Sequence, residues 1–300
     1  MITVLSAQRH QLGEGPLWDF RTRTLHWVDL LAGNVFSRSE DDGTTRVTRL
    51  GVPVGCLGLT ADPAVLVAGL RTGWHLVDLD TGRRQLLGDP ERDREACRFN
   101  DGSVDPAGRF WTGSLEDSES RPDGRLYRLD PDGSYRTVDE GFYCSNGIDW
   151  SPDGRWMYFV DSRQDRIYRY AFDPADGEAR DREIFVDTTA LPGIPDGLRV
   201  DAAGDLWCAF WDGAHVTRFA PDGAVREQLE VPVLRPTSVA FGGADLGTMY
   251  ITSASLGLTP AQLQRWPQSG MVLHRPAGTP GRPAHVFATH LVTPDQPRNG

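Results

Sequence analysis

Four oxygen-bearing side chains recur at matched points of the chain: Glu14, Asn100, Asn146 and Asp196. Each lies five residues before the residue that opens a turn (Asp19, Asp105, Ser151 and Asp201), and each turn leads into a second apolar run. Counting back from two further turn markers, Asp62 and Gly243, adds Leu57 and Ser238 and gives six slots in all. Packing does not select two carboxylates and two carboxamides at equivalent positions, because a buried carboxylate is costly unless it is paired or bound to metal. No Lys or Arg fills a slot, and Arg98, two residues before Asn100, is the nearest counter-charge. A divalent cation resolves the cost. Hard oxygen donors without His or Cys favour calcium, magnesium or manganese, with zinc tolerated. The competing reading is a polar, water-filled channel mouth or a hydrogen-bonded latch between neighbouring repeats, and Asp and Asn are also ordinary turn formers.

For these slots to converge, the repeats must be arranged around an axis. The markers Asp19, Asp62, Asp105, Ser151, Asp201 and Gly243 are separated by 43, 43, 46, 50 and 42 residues. A period in the forties with strand–turn–strand content in each unit is the signature of a propeller with one four-stranded blade per repeat. Helix-pair solenoids share the period but need helical spacing of apolar residues, whereas these segments alternate. The expected fold is all-β, a six-bladed β-propeller of four-stranded antiparallel blades in a single domain over 1–300. Residues at one position of each innermost strand then meet at one height around the axis. Segments such as Trp74–Leu79, Gly124–Leu129 and Ala214–Phe219 read as third strands, many followed by Gly-containing hairpin turns. The ring is expected to close by pairing of N- and C-terminal strands, with Thr3–Ser6 placed near Ala284–Phe287. The tail 291–300 is expected to fray.

Composition agrees with many short strands rather than one deep core: 39% hydrophobic residues, 33 Gly and 21 Pro. A net charge of −11 argues against nucleic acid and anionic membrane surfaces as partners. No stretch reaches the length of a membrane span, and the first residues lack the pattern of a signal peptide. Cys56, Cys97, Cys144 and Cys208 show no CxxC spacing, so they read as free buried thiols of a cytoplasmic protein.

At Leu12–Trp18, Cys97–Arg109, Ser145–Ser151, Ile194–Gly204, Phe241–Gly243 and Met249–Ala254 the chain resembles the SMP-30/gluconolactonase/regucalcin family. The resemblance covers nearly the whole chain. It implies a six-bladed propeller that hydrolyses a sugar lactone with one divalent ion, calcium first, with magnesium, manganese, iron or zinc as the other candidates. By resemblance, Glu14, Asn146 and Asp196 are the metal ligands, and Arg98 and Asn100 hold the substrate's hydroxyls and ring. One departure concerns a substrate-contacting Glu that some members place about twenty residues after the Arg. This chain has Ser118 there, between Asp117 and Glu119, which leaves Glu116 or Glu119 to reach in; Glu116 is taken as the contact.

Lactone hydrolysis needs an activated water and a polarised carbonyl, which a divalent ion provides. Asp196 is expected to serve as ligand and general base, its pKa tuned by the cation. Arg98 has fixed donors for substrate oxygens; a salt bridge to Asp101 is its alternative. Tyr143, Trp111, Phe210 and Trp211 are candidate sugar-stacking walls, though blade packing explains each one. Two other classes compete. A calcium-dependent aryl-esterase or phosphotriesterase-like propeller would bring a catalytic His, and none of the His residues occupies a slot. A non-catalytic metal-binding propeller would lack a closed polar pocket. No G-x-S-x-G supports a serine hydrolase. The expected partner is a small-molecule sugar lactone, met by a monomer or small homo-oligomer.

Overall fold

The structure, a computed structural model, describes residues 1–289; the tail 291–300 lies outside them. The strands form six sheets arranged as blades. Blade 1 is Gly13–Asp19, Thr24–Asp29, Asn34–Ser39 and Thr45–Arg49; blade 2 is Val54–Thr60, Val65–Leu70, Gly73–Asp78 and Arg84–Gly88. Blade 3 is Cys97–Val104, Phe110–Glu116, Gly124–Leu129 and Tyr135–Phe142; blade 4 is Ser145–Trp150, Trp156–Asp161, Arg166–Asp173 and Glu178–Asp187. Blade 5 is Ile194–Val200, Leu206–Trp211, His215–Phe219 and Val225–Glu230; blade 6 is Arg235–Gly242, Thr248–Ala254 and Val272–Pro276, with Thr3–Ser6 as its outermost strand.

Blade 6 closes the ring, because its fourth strand comes from the other end of the chain. Thr3 pairs with His274 and Val4 with Leu273, antiparallel. The partner of Thr3–Ser6 is therefore Val272–Pro276 and not Ala284–Phe287. The chain leaves the sheet after Pro276, and Val286 and Phe287 instead add in parallel to Leu59 and Thr60 on the inner edge of blade 2.

The apolar interior is divided into six clusters, each lying between two adjacent blades. One joins Leu17, Val28 and Val35 of blade 1 to Val54, Leu57 and Leu66 of blade 2. Another joins Trp207 and Val216 of blade 5 to Val239, Phe241 and Ile251 of blade 6. Alternating strands present one apolar face to each neighbouring blade, so both faces of a blade are covered and no central core is needed. The recurring turn Asp is structural. The Oδ1 of Asp105 accepts from the N–H groups of Ala107 and Arg109 (2.9 and 3.0 Å), while its Oδ2 accepts from Trp111 Nε1 (2.9 Å). Asp201 repeats this with Ala203, Asp205 and Trp207. These fully buried carboxylates are satisfied by fixed donors, which is why the turn recurs with the same residue.

The segment from Ala277 to Ala288 straps the far mouth of the channel. Ala277 and Gly281 donate to Gly247 O and Leu246 O next to blade 6, and Pro280 O accepts from Ala202 N of the blade 5 turn. Arg282 donates to Val200 O, to Asp149 Oδ1 (3.1 Å) and to Trp150 O (2.6 Å), joining blades 5 and 4. Ala288 N donates to Gly108 O in blade 3, and Phe287 is fully buried beside Phe110. At Gly281 a Cβ would lie 2.0 Å from Phe241 Cβ, so only glycine lets the strap come this close. About 50 Å³ of space is left beneath it, room for a few waters. Because Arg282 ties two blades through charge-assisted bonds, Arg282→Ala is expected to cost about 2 kcal/mol in urea unfolding. Arg23→Ala, in an exposed pair with Glu40 and Asp41, is expected to leave the midpoint unchanged.

Candidate active site

At the open mouth a cavity of about 230 Å³ is lined by Glu14, Asn100, Asn146 and Asp196, together with Leu12, Glu119, Cys144, Ser162, Arg163, Ile194, Pro195, Trp211 and Leu256. Four of the six slots therefore converge as the repeat count requires. Leu57 does not join them and lines the small cavity at the opposite mouth. Asp62 lies further into its turn than the other markers, two residues past the strand end at Thr60, so the count overshoots there. Ser238 is buried but outside the cavity, and its Oγ has no partner among the described residues.

A break in strand register accompanies each converging residue. Pairing is irregular between Glu14 and Leu17, Phe99 and Gly102, Asn146 and Ile148, and Pro195 and Leu198. Such bulges re-aim a side chain and occur next to active sites. Innermost strands also crowd each other here. A Cβ on Gly197 would lie 2.2 Å from Ser238 Oγ, and one on Gly147 would lie 2.6 Å from Leu198 N. The glycine that follows Asn146 and Asp196 is thus imposed by the neighbouring blade. Loops entering these strands are pinned by carboxylates at the ends of the second strands. Asp29 accepts from Gln11 N and Leu12 N ahead of Glu14, and Asp161 accepts from Tyr143 N and Cys144 N ahead of Asn146.

The amides are oriented by a relay that begins at a cation. Arg98 Nη1 donates to Asn100 Oδ1 (2.8 Å), which leaves Asn100 Nδ2 to donate to Asn146 Oδ1 (3.1 Å) and Ser145 O (2.9 Å). Asn146 Nδ2 then donates to Ser162 Oγ (2.9 Å), and Ser162 Oγ donates to Pro195 O (2.6 Å), beside Asp196. A guanidinium can only donate, so it fixes which way both amides point. Asn146 Oδ1 has a further lone pair for the cavity. Arg98 is buried, and its charged neighbour is Asp117 (3.5 Å) and not Asp101.

Glu14 and Asp196 are buried, and neither has an ion-pair partner among the described residues. Burial, then the charge of Asp101, raises the Glu14 pKa from 4.5 to about 8. Burial, then Glu14, Asp101 and Glu119, raises that of Asp196 well above the usual carboxylate range. Without a counter-ion both carboxyls favour the protonated form. Two such carboxylates beside a carboxamide oxygen fit a hard divalent cation. The Cys144 thiol at the wall is pushed up by burial, which keeps it protonated and a poor soft ligand.

Glu116 is not among the residues lining this cavity. Its carboxylate accepts from Ser118 Oγ (2.5 Å) and lies 3.9 Å from Arg121. The residue that turns inward is Glu119, in the left-handed region at φ 53°, with its Oε2 accepting from Arg163 Nε (2.6 Å). Of the four candidate aromatic walls, Trp211 lines the cavity, under the guanidinium of Arg235 (4.7 Å); Trp111 and Phe210 are buried within blades. Among the described residues, no His lines the cavity. Sequence reasoning passed over Ser162 and Arg163, and named Asp101 only as a partner for Arg98. Asp101, with Oδ2 buried and unpartnered among the described residues, follows Asn100 directly, and a carboxylate in an inner strand was the available signal.

Comparison with known proteins adds a lineage. The profile of the family described as SMP-30/gluconolactonase/LRE-like region matches residues 12–255. A 6-deoxy-6-sulfogluconolactonase of Pseudomonas putida is 38% identical over 278 residues, 92% of this chain and 95% of the relative. A pentonolactonase of Haloferax volcanii is 36% identical over 81% of this chain and 82% of the relative. The crystal structure of a calcium-binding protein, regucalcin, from Agrobacterium tumefaciens superposes with a TM-score of 0.90 at 29% identity, covering 95% of this chain and 96% of that one. With most of its length matched by the profile and by these relatives, the chain belongs to the SMP-30/gluconolactonase/LRE-like family.

Proposed function

We propose that this protein is an enzyme that hydrolyses a sugar lactone to the aldonic acid, with one divalent cation, calcium first among the candidates, held by Glu14, Asn146 and Asp196. The observation that carries this reading is the pair of buried carboxylates without counter-ions in a cavity that also offers fixed hydroxyl-binding groups. Relatives named for gluconolactone-type and pentonolactone substrates support the substrate class. A cation bound there would polarise the ester carbonyl and acidify water.

Asp196 accepts the proton of the attacking water and returns it to the ring oxygen as the ester bond breaks. Asn100, which lines the cavity, and Arg98, which lies behind it and orients it, are assigned the substrate hydroxyls on the side of blade 3. Leu12, Trp211 and Leu256 form an apolar wall across the cavity for the C–H face of the ring. Among the described residues no His lines the cavity, which weighs against the esterase-like alternative, and a recessed cavity of about 230 Å³ beside the carboxylates weighs against a non-catalytic metal-binding propeller. Four free, buried thiols favour a reducing, cytoplasmic setting. Among the described residues, no helix is long and apolar enough to cross a membrane.

Asp196→Asn is expected to retain cation binding but lose about 10²–10⁴-fold in kcat on an aldonolactone, measured by acid release. Turnover equal to that of the unaltered enzyme would remove Asp196 from the role of base. The raised Glu14 pKa predicts a second outcome. Between its unfolded value of 4.5 and about 8 the unfolded chain is deprotonated while the metal-free fold keeps the proton. Stability of the chelator-treated protein therefore falls as pH rises through this window. Thermal melts at pH 5 and pH 8 should show that fall, calcium should remove it, and Glu14→Gln should flatten it without metal.

A further inference from the structure

The geometry points to Arg163 as the specificity-determining residue of this pocket, selecting lactones that carry an anionic group (carboxylate, sulfonate or phosphate) on the carbon chain outside the ring. The inference rests on the lactonase reading and deepens it by naming the substrate class.

Arg163 lies on the short turn Ser162–Gln164, whose first residue takes part in the relay: Ser162 Oγ accepts from Asn146 Nδ2 and its N–H donates to Cys144 O (3.0 Å). Asp165, in the left-handed region at φ 52°, closes the turn by donating to Ser162 O. The backbone beneath Arg163 is thus fixed to the site itself.

Its guanidinium is held on one side only. Nε donates to Glu119 Oε2 (2.6 Å), and among the described residues neither Nη makes a hydrogen bond. The other arginines around this mouth are committed. Arg71 gives both Nη groups to Asp117, and one of them also to Glu95 O. Arg235 gives Nε and Nη2 to Asp212 and Nη1 to Leu256 O. Arg98 turns Nη1 to Phe99 O and Asn100 Oδ1. Among the described arginines of this mouth, Arg163 is the one whose Nη1 and Nη2 are both left open to a ligand, a fork that matches a carboxylate, sulfonate or phosphate through two parallel bonds.

Stability does not account for the pair. Arg163 is about half exposed at 48%, and an ion pair at such a rim adds little. Glu119, in the left-handed region, closes a turn by donating its N–H to Glu116 O (2.7 Å), and from there its carboxylate holds Nε and so orients the fork. The ester carbonyl must reach Asp196, so Arg163 meets the substrate elsewhere, on its exocyclic chain.

The test compares kcat and KM of the calcium-loaded enzyme for a neutral aldonolactone with those for the same carbon skeleton bearing a terminal carboxylate, sulfonate or phosphate. The expected result is a KM at least tenfold lower for one of the charged lactones, with the advantage shrinking as salt rises from 0.05 to 0.5 M. Arg163→Leu should raise the KM of that charged lactone until it matches the neutral one, and Arg163→Lys should recover part of the preference as a point charge. The three anions separate aldarate-like, sulfo- and phospho-sugar sources. Equal KM for neutral and charged lactones in the unaltered enzyme overturns the inference while leaving the lactonase reading intact. A loss in Arg163→Leu that is equal for both substrates does the same, and failure to hydrolyse any lactone overturns both.

Discussion

Everything at the open mouth follows from two carboxylates, Glu14 and Asp196, buried with no counter-ion among the described residues. Left ionised and alone they would oppose folding, since charge is poorly tolerated away from water. Among the described residues no Lys or Arg is bonded to either one, and the amides beside them are oriented by donors. Such a cluster fits the divalent cation proposed for it. The cost is carried by the packing of six blade interfaces, each with its own apolar cluster, so a strained centre does not compromise any single core.

Orientation around those carboxylates is set at a distance of one or two residues. Arg98 decides how Asn100 points, Asn100 decides Asn146, and Asn146 decides Ser162, whose hydroxyl ends on the carbonyl of Pro195. The relay crosses from blade 3 to blade 4 to blade 5. Inter-blade geometry and site geometry are therefore one system, and a shift of one blade would disorder the amides. The strap from Ala277 to Ala288 runs across the far end and hydrogen-bonds in turn to residues of blades 6, 5, 4 and 3.

Much of this was legible in the residues alone. The turn Asp, the period and the alternating segments specify the propeller because they are local: an Asx turn and a two-residue repeat need only nearby atoms. Convergence of Glu14, Asn100, Asn146 and Asp196 was legible because a ring of repeats turns equal sequence position into equal height. Leu57 broke the pattern since the blade 2 marker sits deeper in its turn, a displacement with no signature in residue type. Spacing left Glu116 and Glu119 both within two residues of the expected position, and the left-handed bend that accompanies Glu119 at the cavity leaves no mark in sequence in a non-glycine residue.

By itself, then, the sequence determined the blade count, the strand order within each blade and the oxygen-rich ring, all consequences of short-range periodicity. Tertiary structure alone decided which strand closes blade 6, that Val286 and Phe287 cross to blade 2, and that Arg163 stands at the mouth with its fork open. Those are contacts between residues far apart in the chain. Competing partners there differ by a few hydrogen bonds and a packed side chain, a choice made only when the whole ring is assembled.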